Sequence, residues 1–548
     1  MEAKLVYRTL RKISDWTVNG YYSEVYVEGQ QNISKSGPLV VAPTHHNEIL
    51  DIATLSITIP YGRHVSFWAK ASMFKNPILG AILSSSGAIP VKRNPNASES
   101  TRLKNTAGSE HVSYSETTQK KRTDEGKSVL KPDDRASLFY NTSEALARGE
   151  VIGVFPEGTS YTQPEIAQVM PGAGWVGVEY LKFITRSEGT VNEKGKPRTG
   201  DNSLKIVPVA IVYTDKTRYR SRVYVRFGKP IEVDKCVSHS FHEAQDQSED
   251  HSKALVMHIT HQVEKSLRKM TINAPDWDTV CAVAAARNIL WGDEDYIRLR
   301  DWVEVSQSLV ELLAPKHDSE QSDVKENSQL KEALTKYYAL LHYTGIKHST
   351  LCSLVPMHIS HVLDASTPPQ PFFTVSSSQR PVLLATFSLL VSLPPSLVRL
   401  ALFLPPLLLH LPGYITGHFA GKMANPGEYE AVAQLKSVGG GVGIGLGVLG
   451  GLGWVGWSKS AEILAWLAQQ LLHLGSWSGV FGPSEPLQRL ILDKAKSPCT
   501  VLGTIYLGMW LLVKWHGVYV DANYQQSVFY ARVFYLFTAH LSLDSNEY

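Results

Sequence analysis

Between Pro381 and Val520 the chain carries 13 charged residues in 140 positions, about half the frequency of the whole sequence, which is 19% charged. That window holds three apolar runs: PVLLATFSLLVSLPPSLVRLALFLPPLLLHLP (381–412), VGGGVGIGLGVLGGLGWVGW (438–457) and PCTVLGTIYLGMWLLV (498–513). Runs of this length without charge have to be withdrawn from water, and lipid is the solvent that accepts them. The 438–457 run is 20 residues long, enough to cross a bilayer. Its Gly441/Gly445 and Gly443/Gly447 pairs give small-xxx-small spacing for close helix packing. Half of the run is glycine, so a linker stands beside the span as its alternative. Pro394-Pro395 and Pro405-Pro406 break the 381–412 run and Arg399 sits inside it, so a kinked hairpin entering and leaving one leaflet is expected there. The third run reaches spanning length only with Lys514 and Trp515 at the interface. Two to four membrane insertions are expected from 376–548.

The first 380 residues differ. They are ordinary in charge, with inserts at 94–137, 239–252 and 315–331 rich in Ser, Asp, Glu and Lys that read as solvated loops. Net charge is +3, so no basic footprint marks a nucleic-acid binder. Cys236, Cys281, Cys352 and Cys499 lie too far apart for a disulfide scaffold or a CxxC-type zinc site. The N-terminus, MEAKLVYRTLRKISDW, lacks the uncharged run of a signal peptide. Its residues 5–16 mix cations with apolar residues at helical spacing, as a surface-adsorbing helix does.

Residues 38–44 form a short apolar run suited to a buried strand, and similar runs follow at 65–69, 88–92, 151–155, 205–213 and 222–227. Helical stretches such as 136–148 and 174–184 lie between them. The expected fold is α/β, a mixed central sheet flanked by helices, followed by the hydrophobic membrane region. The expected division is an amphipathic segment at 1–37, a sheet domain at 38–235, a mainly helical extension at 236–375 and the membrane region at 376–548.

Chemistry in such sheets gathers at the loops leaving strand ends. The first such loop is APTHHNEILD (42–51), with His46 and Asp51 separated by four residues. On one continuous helix that spacing sets them roughly 140° apart. The pair therefore needs His46 in the turn before a helix and Asp51 on its first turns, holding one imidazole nitrogen and leaving the other as a general base. The plain alternative is a helix start with two incidental histidines. Composition alone predicts about 0.7 such His-x4-Asp pairs, and a second occurs at His516 and Asp521, where no companions suggest a site. Companions do surround the first pair. GAIPVKR (87–93) ends a strand with Lys92 and Arg93, suited to a phosphate. VFPEGTSY (154–161) bends around Glu157, Gly158 and Thr159, and IVPVAIVY (206–213) carries a proline that an edge or bulge would tolerate.

These four blocks, in this order, resemble those of the glycerolipid acyltransferase superfamily. EVYVEGQQNISKSGPLVVAPTHHNEILD (24–51), KSLRKMTINAPDWDTVCAVAAARNILW (265–291) and EYEAVAQLKS (428–437) resemble its fungal branch that acylates glycerol 3-phosphate and dihydroxyacetone phosphate. Two positions depart from the pattern. Ser160 stands where Arg often follows FPEGT, and the first block begins His-His, so His45 competes with His46 for the basic role, with the spacing favouring His46.

The resemblance implies direct acyl transfer from acyl-CoA to the sn-1 hydroxyl of glycerol 3-phosphate or dihydroxyacetone phosphate. His46 would be the base and Asp51 its orienting carboxylate. Glu157, Gly158 and Thr159 would shape the acceptor pocket, with Lys92 and Arg93 on its phosphate. It implies no metal and no cofactor beyond the acyl-CoA co-substrate. The partners would be membrane lipids and the location the endoplasmic reticulum membrane, with the catalytic face toward the cytosol and lipid droplets as a second location. Lysophosphatidic acid as acceptor and a non-catalytic membrane scaffold are the alternatives. Finally, 182–229 has 12 Lys or Arg against 4 acids, with Arg218, Arg220 and Arg222 at period two. That pattern reads either as a patch steering CoA phosphates or headgroups, or as a charged strand edge.

Overall fold

The computed structural model describes residues 2–91, 132–188, 203–234, 236, 249–314, 321–345, 347–354, 380–425, 427–448, 466, 503, 506–524, 526–527 and 530. They form two compact units, one of Met1–Asn19, Glu24–Asp215 and Arg222–Asn273, the other of Gly20–Ser23, Lys216–Ser221 and Ala274 onward.

The first unit is the expected mixed α/β sheet. Its elements are α1 (Glu2–Tyr21), β1 (Glu24–Glu28), β2 (Leu39–Pro43), α2 (Ile49–Thr58), β3 (Val65–Lys70), α3 (Pro77–Ser85), β4 (Ile89–Val91), α4 (Pro132–Ala147), β5 (Val151–Gly153), α5 (Gly172–Glu188), β6 (Lys205–Tyr213), β7 (Arg222–Phe227), β8 (Ile231–Glu232) and α6 (Glu249–Met270). The strand order is β1-β7-β6-β2-β5-β3-β4, with β8 on β6. Strands β6, β2, β5, β3 and β4 run parallel, while β7 and β8 pair with β6 in the antiparallel sense. A parallel strand is covered on both faces and so reads as an unbroken apolar run. Accordingly every residue of β2 is buried, as is β6 from Ile206 to Val212. Glycine lets the layers close: a Cβ on Gly174 of α5 would lie 2.8 Å from the Val256 carbonyl of α6.

Of the edge or bulge expected for Pro208, the edge is not its place. It lies mid-β6, paired on one side with Ala42 of β2. On the other side β8 pairs only with residues 205–206 and β7 only from Val209, so Pro208 falls in the gap between two partners. Its carbonyl still accepts from Gly228 N at 2.8 Å, and no ladder bond needs its missing N–H.

The second unit is helical: α7 (Trp277–Trp291), α8 (Trp302–Leu313), α9 (Gln321–Thr344), α10 (His348–Leu354), α11 (Arg380–Lys422), α12 (Tyr429–Val448) and α13 (506–524). The kinked hairpin expected over 381–412 is instead one continuous helix, α11, with Pro394, Pro395, Pro405, Pro406 and Pro412 inside it. Each proline removes one ladder bond, but in lipid a helix is the local structure that satisfies the remaining backbone. Helix α12 begins nine residues before the expected 438–457 span, of which 449–457 lie outside the described residues. Leu393–Lys422 and Tyr429–Val448 are both long and apolar enough to cross a bilayer, and most of their apolar side chains are not covered. The chain is thus membrane-anchored, with a large extramembranous part.

One of the two glycine pairs packs as expected. A Cβ on Gly443 would collide with Thr416 and with the Pro412 carbonyl of α11, and one on Gly447 would touch Pro412 at 3.1 Å. Gly441 and Gly445 meet nothing within 4 Å.

The arginines at period two do not share a strand face. Arg218 and Arg220 lie in the turn before β7, and each arginine has an acid: Arg218 with Asp295 at 3.2 Å, Arg220 with Asp521 at 2.6 Å, Arg222 with Glu24 at 3.9 Å. A patch neutralised in this way is a poor steering surface. Asp521 is therefore taken up by Arg220, while His516 bonds Tyr414, so the second His-x4-Asp match does not pair.

Candidate active site

The loops leaving β2 and β5 lie side by side because the two strands are parallel neighbours. Thr44 continues β2 through its side chain, its Oγ1 donating to Ile211 O at 3.1 Å and accepting from Ile211 N at 2.9 Å on β6. That fixes the next residue, His45, at the end of the sheet. The chain then turns sharply: Glu48, the residue before α2, has φ 46° and ψ −114°, a strained conformation for a non-glycine residue.

This turn decides which histidine meets Asp51. The expected partner was His46, but the imidazole at Asp51 is that of His45, whose Nδ1 lies 2.9 Å from Asp51 Oδ2. The same oxygen accepts the backbone N–H groups of His46 at 2.7 Å and Asn47 at 2.8 Å. His46 thus contributes its main chain to the carboxylate. The expected turn before α2 is present, but it offers Asp51 the ring of His45 and only the main chain of His46.

Asp51 is fully buried, and its other oxygen, Oδ1, accepts from the Tyr213 hydroxyl at 2.6 Å. Burial would raise this carboxyl. The hydrogen bond and charge of His45, the charge of His46 and the bond from Tyr213 outweigh it and hold Asp51 below its ordinary range. An ionised Asp51 accepts only, so a neutral His45 ring beside it carries its proton on Nδ1 and its lone pair on Nε2. The His45 side chain is 12% exposed. Its ring stacks on Phe155, with centroids 4.1 Å apart and planes at 25°, which fixes the direction of Nε2.

Glu157 braces the same loop from β5's side. It is fully buried, and its Oε1 accepts the backbone N–H of His45 at 2.7 Å. One of its oxygens thus faces the histidine loop. Gly158 closes a turn, its N–H donating to Phe155 O at 3.1 Å with φ +75°. A Cβ there would also stand 2.6 Å from Met170 Sδ. Gly158→Ala is expected to cost about 1–2 kcal/mol of stability, mostly backbone strain since the Met170 tip can move, read as a lowered thermal midpoint. Thr159 is half-buried beside this turn. Lys92 and Arg93 lie outside the described residues.

Phe155 and Tyr213 escaped the sequence reading. Phe155 sits inside the third block and was signalled only as an apolar strand end. Tyr213 ends β6, 162 positions from Asp51, and no spacing announces it. Among the described residues no group of three His, Cys, Asp or Glu side chains is placed to hold a metal ion.

Residues 24–212 match the family model described as Acyltransferase. A Schizosaccharomyces pombe protein described as an uncharacterized acyltransferase is 21% identical over 57% of this chain and 50% of its own length. Glycerol-3-phosphate O-acyltransferases 1 and 2 of Saccharomyces cerevisiae are each 25% identical, over 28% and 32% of this chain and 18% and 21% of theirs. The chain thus spans half or less of the length of these relatives. The crystal structure of the 1-acyl-sn-glycerophosphate acyltransferase PlsC from Thermotoga maritima aligns with a TM-score of 0.27 and 15% identity, covering 48% of this chain and 81% of that one.

Proposed function

We propose that this chain, a member of the glycerolipid acyltransferase superfamily, moves the acyl group of acyl-CoA onto the sn-1 hydroxyl of glycerol 3-phosphate or dihydroxyacetone phosphate. The observation that carries the reading is the His45–Asp51 pair, tied at Nδ1, which leaves Nε2 as the nitrogen to take a proton. His45 Nε2 takes the proton of the acceptor hydroxyl as its oxygen attacks the thioester carbonyl. The carbon–sulfur bond then breaks, and the departing thiolate recovers that proton from the imidazolium. Asp51 stabilises the imidazolium while it lasts, and Tyr213 and the N–H groups of His46 and Asn47 keep Asp51 ionised and in place. Glu157 holds the histidine loop, Gly158 closes the turn that places Glu157, Thr159 lies beside the acceptor, and Lys92 and Arg93 take its phosphate.

The membrane anchor keeps this chemistry next to the lipid that receives the product. The endoplasmic reticulum, with lipid droplets second, is the location that suits it. Tyr213→Phe takes one donor from the buried Asp51 and is expected to slow transfer about tenfold, the loss of one hydrogen bond to a charged group.

The acceptor is tested with labelled acyl-CoA and membranes expressing the chain, offering glycerol 3-phosphate, dihydroxyacetone phosphate and lysophosphatidic acid separately. Label on either of the first two supports the reading. Label on lysophosphatidic acid alone overturns the acceptor, and no label in well-expressed membranes overturns the enzyme and leaves the scaffold.

A further inference from the structure

We propose that α3 is a membrane-contact helix that lays the active-site end of the sheet against an anionic bilayer. Of its nine residues only Gly80 is buried. Ile78 is 74% exposed, Leu79 37% and Ile82 39%, and the helix has no charged residue at all. Soluble helices turn a polar face outward; α3 turns an apolar one. The helix is well formed in spite of this: Pro77 opens it, and Asn76 caps it by accepting from Ile78 N and Leu79 N at 3.1 Å.

Charge identifies the covering surface. From Ile52 to Ser98 the sequence contains no Asp or Glu in 47 residues, yet it includes Lys70, Lys75, Lys92 and Arg93, besides Arg63, which is buried on the carbonyls of Ser34, Gly37 and Gly149. Lys70 and Lys75, the last cations before α3, are exposed. Apolar side chains bordered by cations, with no acid near them in sequence, are complementary to acyl chains beneath anionic headgroups. The polar insert 94–137 that follows holds no apolar run able to cover α3 from within the chain. Nine residues cannot cross a bilayer, so α3 lies in its surface.

Topology gives the placement a consequence. Strands β2, β5 and β3 are parallel, so their C-terminal ends share one end of the sheet. His45 follows β2 there, and Lys70, Lys75 and the start of α3 follow β3. Ile49, half exposed at the start of α2, lies at the same end. Contact through α3 therefore points the His45 end of the first unit toward lipid. This orientation stands on exposure and charge and does not depend on which acceptor is acylated.

The test uses the full chain in vesicles of phosphatidylcholine and phosphatidylserine whose acyl chains carry a photoactivated carbene source, followed by digestion and mass mapping. Lipid adducts are expected on the peptide covering 76–85, as on the anchor helix 393–422, and not on α6, where Met257 is exposed to a similar degree. Adducts on the anchor but none on 76–85 would overturn the proposal. So would equal labelling of 76–85 and α6, which would report proximity alone. In the Ile78→Asp, Ile82→Asp chain the adduct on 76–85 is expected to fall at least fivefold with the anchor unchanged. An undiminished adduct would contradict insertion.

Discussion

His45→Ala is expected to lower acyl transfer by about 10²- to 10⁴-fold, the contribution of a positioned general base. The corresponding change at His46 is expected to cost far less, since it removes a ring whose charge helps hold Asp51 low but keeps the backbone N–H. The asymmetry follows from atoms. Asp51 Oδ2 receives the ring of His45 but the backbone N–H of His46, and a main-chain donor survives the change to alanine. The His45 ring also covers Phe155, so His45→Ala leaves a small void; thermal midpoints measured beside the rates separate a lost base from a loosened fold. A large loss at His46 with a small one at His45 would reverse the assignment.

Asp51→Asn is expected to slow transfer by about 10- to 100-fold. The amide oxygen stays where three N–H donors converge, so His45 keeps its tautomer and the NH2 group turns to Tyr213. The negative charge that favours the imidazolium is what disappears. A hydrogen bond to a charged group is worth about 1.5–3 kcal/mol, and about 1.4 kcal/mol corresponds to a tenfold rate change. A pH effect accompanies this. The folded chain holds the Asp51 carboxyl below its unfolded value, so its ionisation stabilises the fold fully above about pH 4 and is lost as pH falls through the lowered folded pKa. Acid titration of stability is therefore expected to be steeper in the wild-type chain than in Asp51→Asn. Parallel acid profiles would mean that Asp51 is not held in its charged form.

Much of the architecture was legible because burial leaves a mark on sequence. Strands β2, β5, β6 and β7 were found from their apolar runs, and 205–213 and 222–227 were placed to the residue. Strand β1 was missed because EVYVE, paired on β7 at the end of the strand order, has no buried residue and no apolar run. Pro208 was expected at an edge or bulge, and the interior gap it occupies depends on where the partner strands stop. The prolines of α11 were given a break that the chain does not make, since a local rule for water was carried into an apolar helix. At the site, the motif put His46 with Asp51, while the structure sets the ring of His45 against that carboxylate. That choice rests on Glu48's positive φ, a backbone angle that no residue count contains. Tyr213 joins Asp51 only through the β2–β6 pairing.

The central claim is direct transfer, with His45 activating the acceptor and no acyl group ever carried by the protein. Initial rates measured with acyl-CoA and glycerol 3-phosphate both varied test it most directly. The account predicts intersecting double-reciprocal lines, the pattern of a complex holding both substrates. Parallel lines, with label from acyl-CoA trapped on the chain in the absence of acceptor, would place a covalent acyl-enzyme on the path and contradict it.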